Sequence, residues 1–453
     1  MPKFSRRSFL VFFSESRTIS RYALSLLLQT WVVSQLNAQL PAFPGAEGFG
    51  STTPGGRGGR VYFVTTLDPT GPGSLSEAVE ANDPRIIVFK VGGTIDFAHQ
   101  GGSLTIENPY LTIAGQTAPG GGITLKNCRL LIQTHDVIVR CIRSRMGDLP
   151  GGLRGQARDA ITIGSKSAYN VIIDHCSFSW AVDENAEIIG GAHDVTVQYC
   201  YVGEALRSSI HQKGQHSKSL SCHHTSGGNV SFHHNIIAHG VDRNPQMLAP
   251  FNIECVNNIV YNFQFGGRFG NGASIHFIGN RYIAGPNTKL GRKALIAARR
   301  GLGGSKAFVK GNIGPGRTEN QGEEWLIADA PMSDQSTALL FEPKVTPEDV
   351  DSLWPDLLDI AGALPHDAVD QRTQSDILDR SGHWIDSQDE VGGWPLLERG
   401  TPPPDADNDG MPDEWEVVNG LNPQDINDGN FDQDQDGYLN IEEYINQLIP
   451  STK

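Results

Sequence analysis

Between residues 60 and 310 the apolar positions come in short β-branched runs, each bordered by Asn, Asp, Gly or His. Asp136-Val-Ile-Val-Arg140, Asn170-Val-Ile-Ile-Asp174 and Asp194-Val-Thr-Val-Gln198 are followed by Asn229-Val-Ser-Phe-His233, Asn252-Ile-Glu-Cys-Val256 and Ser274-Ile-His-Phe-Ile278. Their starts are 34, 24, 35, 23 and 22 residues apart. Runs of this length predict strands, and no amphipathic helix lies between them to build a doubly wound sheet. A coil of 22 to 24 residues, twice lengthened by a loop, predicts a parallel β-helix in which each coil buries its apolar face against its neighbours. An up-and-down sandwich would leave the coil length and the recurring turn asparagines unexplained.

The pattern changes after residue 343. Thr346-Pro-Glu-Asp349 predicts a helix, with Thr346 as N-cap and Pro347 in the first turn. Leu353, Trp354, Leu357, Leu358 and Ile360 would form its apolar face. Thr401-Pro-Pro-Pro404 reads as a stiff linker, with a second domain beginning near Asp405. The expected division is a targeting segment over 1–38, a β-helix over 39–343, a helical and loop segment over 344–400, and a module over 401–453.

Charge sharpens that division. The chain of 453 residues carries −15, of which residues 401–453 carry −12. This acidity argues against nucleic acid as a partner. At the other end, Arg6, Arg7 and Arg17 precede an uncharged, mostly apolar stretch over Tyr22–Val33, too short to span a bilayer comfortably. It predicts an export signal ending near Ala38, hence a secreted protein with no transmembrane segment after its removal. Ser5-Arg6-Arg7-Ser8-Phe9-Leu10 resembles a twin-arginine signal. The six cysteines show no zinc-like spacing and read as small buried apolar residues.

Two loops in the acidic module have calcium-loop spacing. In the first, Asp405, Asp407 and Asp409 precede Gly410, the Met411 carbonyl, Asp413 and Glu416. In the second, Asp432, Asp434 and Asp436 precede Gly437, the Tyr438 carbonyl, Asn440 and Glu443. Hard oxygen donors at this density select Ca²⁺. The pair resembles the EF-hand-like or thrombospondin type 3-like repeats that end secreted bacterial enzymes.

Several motifs, in order from residue 42 to 285, resemble polysaccharide lyase family 1, the pectate and pectin lyases. They are Phe43-Pro-Gly-Ala-Glu-Gly-Phe-Gly50, Gly73-Ser-Leu-Ser-Glu-Ala-Val79, Asp159-Ala-Ile-Thr-Ile163, Val171-Ile-Ile-Asp-His175 and His233-His-Asn235. Val369-Asp-Gln-Arg372 and Asp389-Glu-Val-Gly-Gly393 look like the tail of bacterial members. The resemblance implies a right-handed parallel β-helix, an acidic polysaccharide substrate, bacterial extracellular or periplasmic location, a monomer, and calcium-assisted β-elimination. It places the catalytic calcium on Asp159, Asp183 and Glu187. Arg243 is implied as the base over C5, and Lys213 as its partner. Arg207, His211 and His216 would add substrate contacts, while Asp174 and His175 belong to a structural network. Two positions depart from the family pattern: Ala157 stands where a further Asp is common, and Leu248 where a second Arg is common.

Two other functions fit the same residues. Hydrolysis of polygalacturonate would use paired carboxylates as acid and base. A β-helical glycan-binding or adhesion protein would need no reaction at all. Calcium-independent action on esterified pectin would leave the carboxylate cluster without a purpose. Endo or exo action, methylation preference and chain length are not encoded legibly.

Overall fold

Each coil contributes one strand to each of three parallel sheets, of eleven, nine and eight strands among the described residues. The computed structural model describes residues 39–99, 102–151, 153–154, 157–223, 228–289, 291–298 and 304–450. The expected export signal over 1–38 lies outside them. The described residues from 41 onward form one compact unit.

The repeat read from the sequence is the repeat of the coil. Val137 pairs in register with Val171, Val171 with Val195, Val195 with Val230, Val230 with Ile253, and Ile253 with Ile275. The architecture is a right-handed parallel β-helix. Because strand side chains alternate, every second residue of a run points into the tube. Ile113, Val139, Ile173, Val197, Phe232 and Cys255 stack in consecutive register and are buried. The bordering Asp136, Asn170 and Asp194 hold the left-handed conformation, with φ of 55, 55 and 51°. Asn and Asp tolerate that region better than other non-glycine residues, hence their recurrence.

At a second corner, buried asparagines form a ladder. The Asn235 side-chain amide donates to Asn258 Oδ1 at 3.0 Å, Asn258 to Asn280 at 2.9 Å, and Asn280 to Asn312 at 2.8 Å. Each satisfies polar groups that the tube would otherwise leave unpaired. The Gly73–Val79 motif forms the lid of one end. Ser74 caps a helix over Leu75–Glu80, whose Leu75, Ala78 and Val79 close the core. All six cysteines are free and buried, as expected for small apolar fillers.

The helix expected from Thr346 does not form. Residues 345–349 are irregular, Thr346 donates its amide to Glu47 Oε2, and Pro355 interrupts the run because it has no N–H to give. What remains helical is Leu357–Ile360 and, further on, Ala368–Asp379. The apolar residues still pack: Leu353, Leu357 and Leu358 bury against Ile236, Ile259 and Tyr261.

Residues 405–450 sit on the outer face of the eleven-stranded sheet. Met411, Ile441, Tyr444 and Ile445 pack on Ile86, Val88 and Ala114. Arg57 pairs with Glu442 at 2.9 Å, and Arg140 donates to Asn446 at 2.8 Å. Among the described residues no helix is long and apolar enough to cross a membrane.

Candidate active site and cation sites

The two long spacings in the repeat are loops that meet at one edge of the nine-stranded sheet. The first lies between Arg145 and Ile161, the second between Gly203 and Lys218. Adjacent strands over Ile161–Gly164, Glu184–Ile189 and Lys218–His223 bring their starts together there. Asp159 precedes the first strand, Asp183 and Glu184 open the second, and Lys218 opens the third opposite Glu184. Arg243 joins this edge because its carbonyl accepts the Leu220 amide at 2.8 Å.

The carboxylates of Asp159, Asp183 and Glu184 offer donor atoms within 4.8 Å of one another. Asp159 is held by Thr162, whose hydroxyl donates at 2.7 Å, and by the Glu184 amide at 3.1 Å. Burial pushes it up to about 7, with the Asp183 charge adding to the effect. Burial also raises Asp183. The His216 hydrogen bond and the charges of Lys218, His216 and His211 outweigh that and hold it well below the usual carboxylate range. Glu187 lies outside the grouping of three, with Oε1 3.5 Å from His223 Nε2. Burial, then the charges of Asp159 and Asp183, push Glu187 up to about 8. These acids therefore share one field. The donors are hard, largely buried oxygens, which fits Ca²⁺.

Arg243 is mostly buried and ion-paired with Glu184. Burial brings it down to about 10, and the Arg268 charge assists. The neutral guanidine is thus closer to reach than for an exposed arginine.

Of the two lysines of this loop, the structure brings Lys218 rather than Lys213 to the carboxylates. Lys213 is exposed in a turn, and its backbone amide donates to His211 Nδ1. Lys218 points inward instead, its Nζ 2.6 Å from His216 Nε2 and 3.5 Å from Asp183. Reading the loop by motif missed it; its place opposite Glu184 on the next coil is the signal that finds it. His211 and His216 stack with ring centres 3.4 Å apart, and both face Asp183, at 3.5 and 3.0 Å. Arg207 lies over the Trp384 ring at 5.9 Å.

Asp174 and His175 lie on another sheet. Asp174 takes Arg140 at 2.8 Å, His175 at 2.9 Å and Gln198 at 2.7 Å. With Phe43 they line a cavity of about 540 Å³ that none of the site carboxylates touches.

In the acidic loops, Asp405, Asp407 and Asp409 gather within 4.8 Å, as do Asp432, Asp434 and Asp436. Gly410 and Gly437 take φ of 103 and 104°, the sharp turn that their position demands. Two expected donors also make hydrogen bonds within the module. Asp413 accepts the Ala406 amide at 2.7 Å, and the Asn440 side chain donates to the Asp428 carbonyl at 2.7 Å. The Glu416 carboxylate is buried beside Asp409, while Glu443 is half-buried near the second loop. Burial, then neighbouring charges, push Asp409 up to about 7 and Glu416 to about 8.

A parallel β-helix with acids, a buried arginine and a lysine on one sheet edge defines a class of proteins suited to a cation and an acidic ligand. Comparison with known proteins narrows it. The probable pectate lyase C of Aspergillus fumigatus is 34% identical over 441 residues, covering 94% of this chain and 98% of that protein. That of Emericella nidulans is 34% identical over 442 residues, covering 94% and 97%. Pectate lyase 2 of Ambrosia artemisiifolia is 28% identical over 288 residues, covering 58% and 67%. The structure of a pectate lyase bound to a hexasaccharide superposes with a TM-score of 0.50 at 15% identity, covering 72% of this chain and 98% of that one. Another pectate lyase, in a study of substrate specificity and anti β-elimination, reaches 0.52 at 15%, with the same coverage. No family model matches the chain. The chain belongs to the pectate lyase family.

Proposed function

We propose that this protein is a secreted pectate lyase that cleaves polygalacturonate by calcium-assisted β-elimination. The observation that carries this reading is the clustering of Asp159, Asp183 and Glu184 beside Arg243 in a chain of this family. Asp159 and Asp183 would hold the catalytic calcium, with Glu184 or Glu187 completing the set. Calcium bound there supplies charge neutralisation of a galacturonate carboxylate and so stabilises the dianion that develops as C5 loses its proton.

The chain's own residues do the rest. Arg243, in its neutral form, takes the proton from C5. The C5–H electron pair becomes the C4–C5 double bond as the C4–O bond breaks. The leaving oxygen gains a proton, for which Lys218, its Nζ 3.5 Å from Asp183, is the donor. Lys213, at the tip of the same loop, would meet a more distant sugar, as would Arg207 beside Trp384. His211 and His216 orient Asp183.

The loops over 405–416 and 432–443 are read as calcium sites with a structural role. Export follows from the arginine-flanked apolar segment near the N-terminus. Bacterial origin rests on the resemblance of the 369–393 motifs and of the acidic repeats to bacterial proteins, whereas the Aspergillus and Emericella relatives are fungal.

The test is ultraviolet absorbance on polygalacturonate, with calcium and with chelator. Calcium-dependent unsaturated product is expected, and it should vanish in Arg243→Ala. Cleavage without unsaturation would indicate a hydrolase. No cleavage of polygalacturonate or of esterified pectin would leave a glycan-binding protein.

A further inference from the structure

We propose that Asp428, which lies between the two acidic loops, supplies a carboxylate to a calcium-sized divalent cation held by the first loop and thereby couples that loop to the second. The inference rests on reading residues 405–416 as a calcium loop, and adds a ligand from outside it.

Asp409, Glu416 and Asp428 offer carboxylate oxygens within 4.8 Å of one another. All three are deeply buried, at 5%, 0% and 6% exposure. Each aspartate uses one oxygen locally: Asp409 Oδ1 accepts the Met411 amide at 2.8 Å, and Asp428 Oδ2 accepts the Asn422 amide at 2.9 Å. Their other oxygens, and both oxygens of Glu416, have no hydrogen-bond partner among the described residues. An unpaired buried carboxylate is costly, and three sharing one small space also repel each other. A hard divalent cation at their common focus removes both penalties. Asp405 and Asp407, which share a second grouping with Asp409, each also keep one oxygen without a hydrogen bond.

The backbone supports the arrangement. A Cβ on Gly429 would lie 2.7 Å from Asp409 Oδ2, so glycine is what lets the Asp428 turn approach the first loop. The same turn is bound to the second loop. The Asp428 carbonyl accepts the Asn440 side chain, and Asn440 begins the helix Asn440–Gln447 that carries Glu443. Asn440, the expected ninth-position donor of the second loop, is thus tied through its Nδ2 to Asp428. The first loop gains a carboxylate, while Asp434 and Asp436 of the second remain exposed. The first site therefore binds more tightly than the second.

Calcium titration of the full chain, with calorimetry and thermal unfolding, tests this on Asp428→Asn and Asp434→Asn. Asp428→Asn is expected to weaken the tighter of the loop sites at least ~10-fold, and to shrink the calcium-induced rise in Tm. Asp434→Asn should weaken only the looser site. Unchanged calcium affinity and Tm rise in Asp428→Asn, with losses in Asp409→Asn and Asp434→Asn, would overturn the role of Asp428 alone. No change in any of the three would overturn the loop reading as well. Should Asp428→Asn fail to fold, terbium-soaked crystals of the unaltered protein decide. A peak within about 2.3–2.6 Å of Asp428 and Glu416 oxygens supports the proposal, and one held only by residues 405–411 overturns it.

Discussion

Arg243 pairs its guanidinium with Glu184, and Glu184 stands in register with Lys218 on the next coil. Three successive turns of the helix thus join acid, arginine and lysine at one edge. Burial lowers Arg243 to about 10, which makes a guanidine base workable at alkaline pH. Arg243→Ala should lower kcat by about 10²–10⁴, the range for losing a general base. Arg243→Lys should retain part of the rate with an altered pH profile. Product absorbance across pH is the measurement; a mutant with the parent's rate and profile would remove Arg243 from the chemistry.

The two loop lysines should separate in a mutant comparison. Lys218 sits 3.5 Å from Asp183, whereas Lys213 is exposed in the turn. Lys218→Ala should cost kcat about 10²-fold or more, on the scale of removing a charge-stabilising group. Lys213→Ala should act mainly on KM for long oligogalacturonates. Steady-state kinetics on short and long substrates distinguishes them, and the reverse ranking would restore Lys213 as the partner.

Asp174 is expected to govern acid stability. Burial raises it, but the charges of His175 and Arg140 outweigh that and hold its carboxyl below the usual range. Its stabilisation is fully present above the unfolded value of about 3.9 and is lost as pH falls through the lower native value. Asp174→Asn leaves Arg140 without its carboxylate and should cost about 3–5 kcal/mol near neutrality. Urea midpoints of wild type and mutant should converge as pH is lowered below about 4. Parallel curves would exclude the linkage.

The asparagine ladder is expected to be non-redundant. Asn258 donates to Asn280 and to the Phe232 carbonyl, and accepts from Asn235. Asn258→Leu leaves several buried partners unpaired and should destabilise by about 2 kcal/mol or more. Denaturant unfolding measures it. A loss under about 0.5 kcal/mol, the size of an ordinary surface substitution, would show that neighbouring coils repair the gap.

Removal of residues 401–453 should spare the chemistry and damage stability. The module covers Ile86 and Val88 on the eleven-stranded sheet, while the proposed reacting edge belongs to the nine-stranded one. The truncated chain should keep its kcat while folded, yet unfold at lower temperature. Calcium-dependent activity and Tm on the same preparation test both halves. Complete inactivity in a protein that still unfolds cooperatively would place the module in catalysis.

Much of the fold was legible because it repeats. The spacings of 24, 23 and 22 residues are the lengths of single coils, and the two longer spacings mark the loops that frame the site. Asp159, Asp183 and Arg243 were legible by motif and do meet at one edge. The helix from Thr346 was misread because local capping signals cannot weigh Pro355 against the packing of Leu353 and Leu357 on the coil wall.

By itself the chain determines which residues face inward, since β alternation is local, and which donors are available, since spacing places carboxylates beside turns. Only the tertiary structure decides which of those donors meet. Stacking register puts Glu184 opposite Lys218, buries Arg243 against Glu184, and turns Lys213 outward. Packing brings Asp428 to Asp409 across the acidic module. These are contacts between coils and turns far apart in the chain, and they depend on stacking distance, which a one-dimensional pattern does not carry.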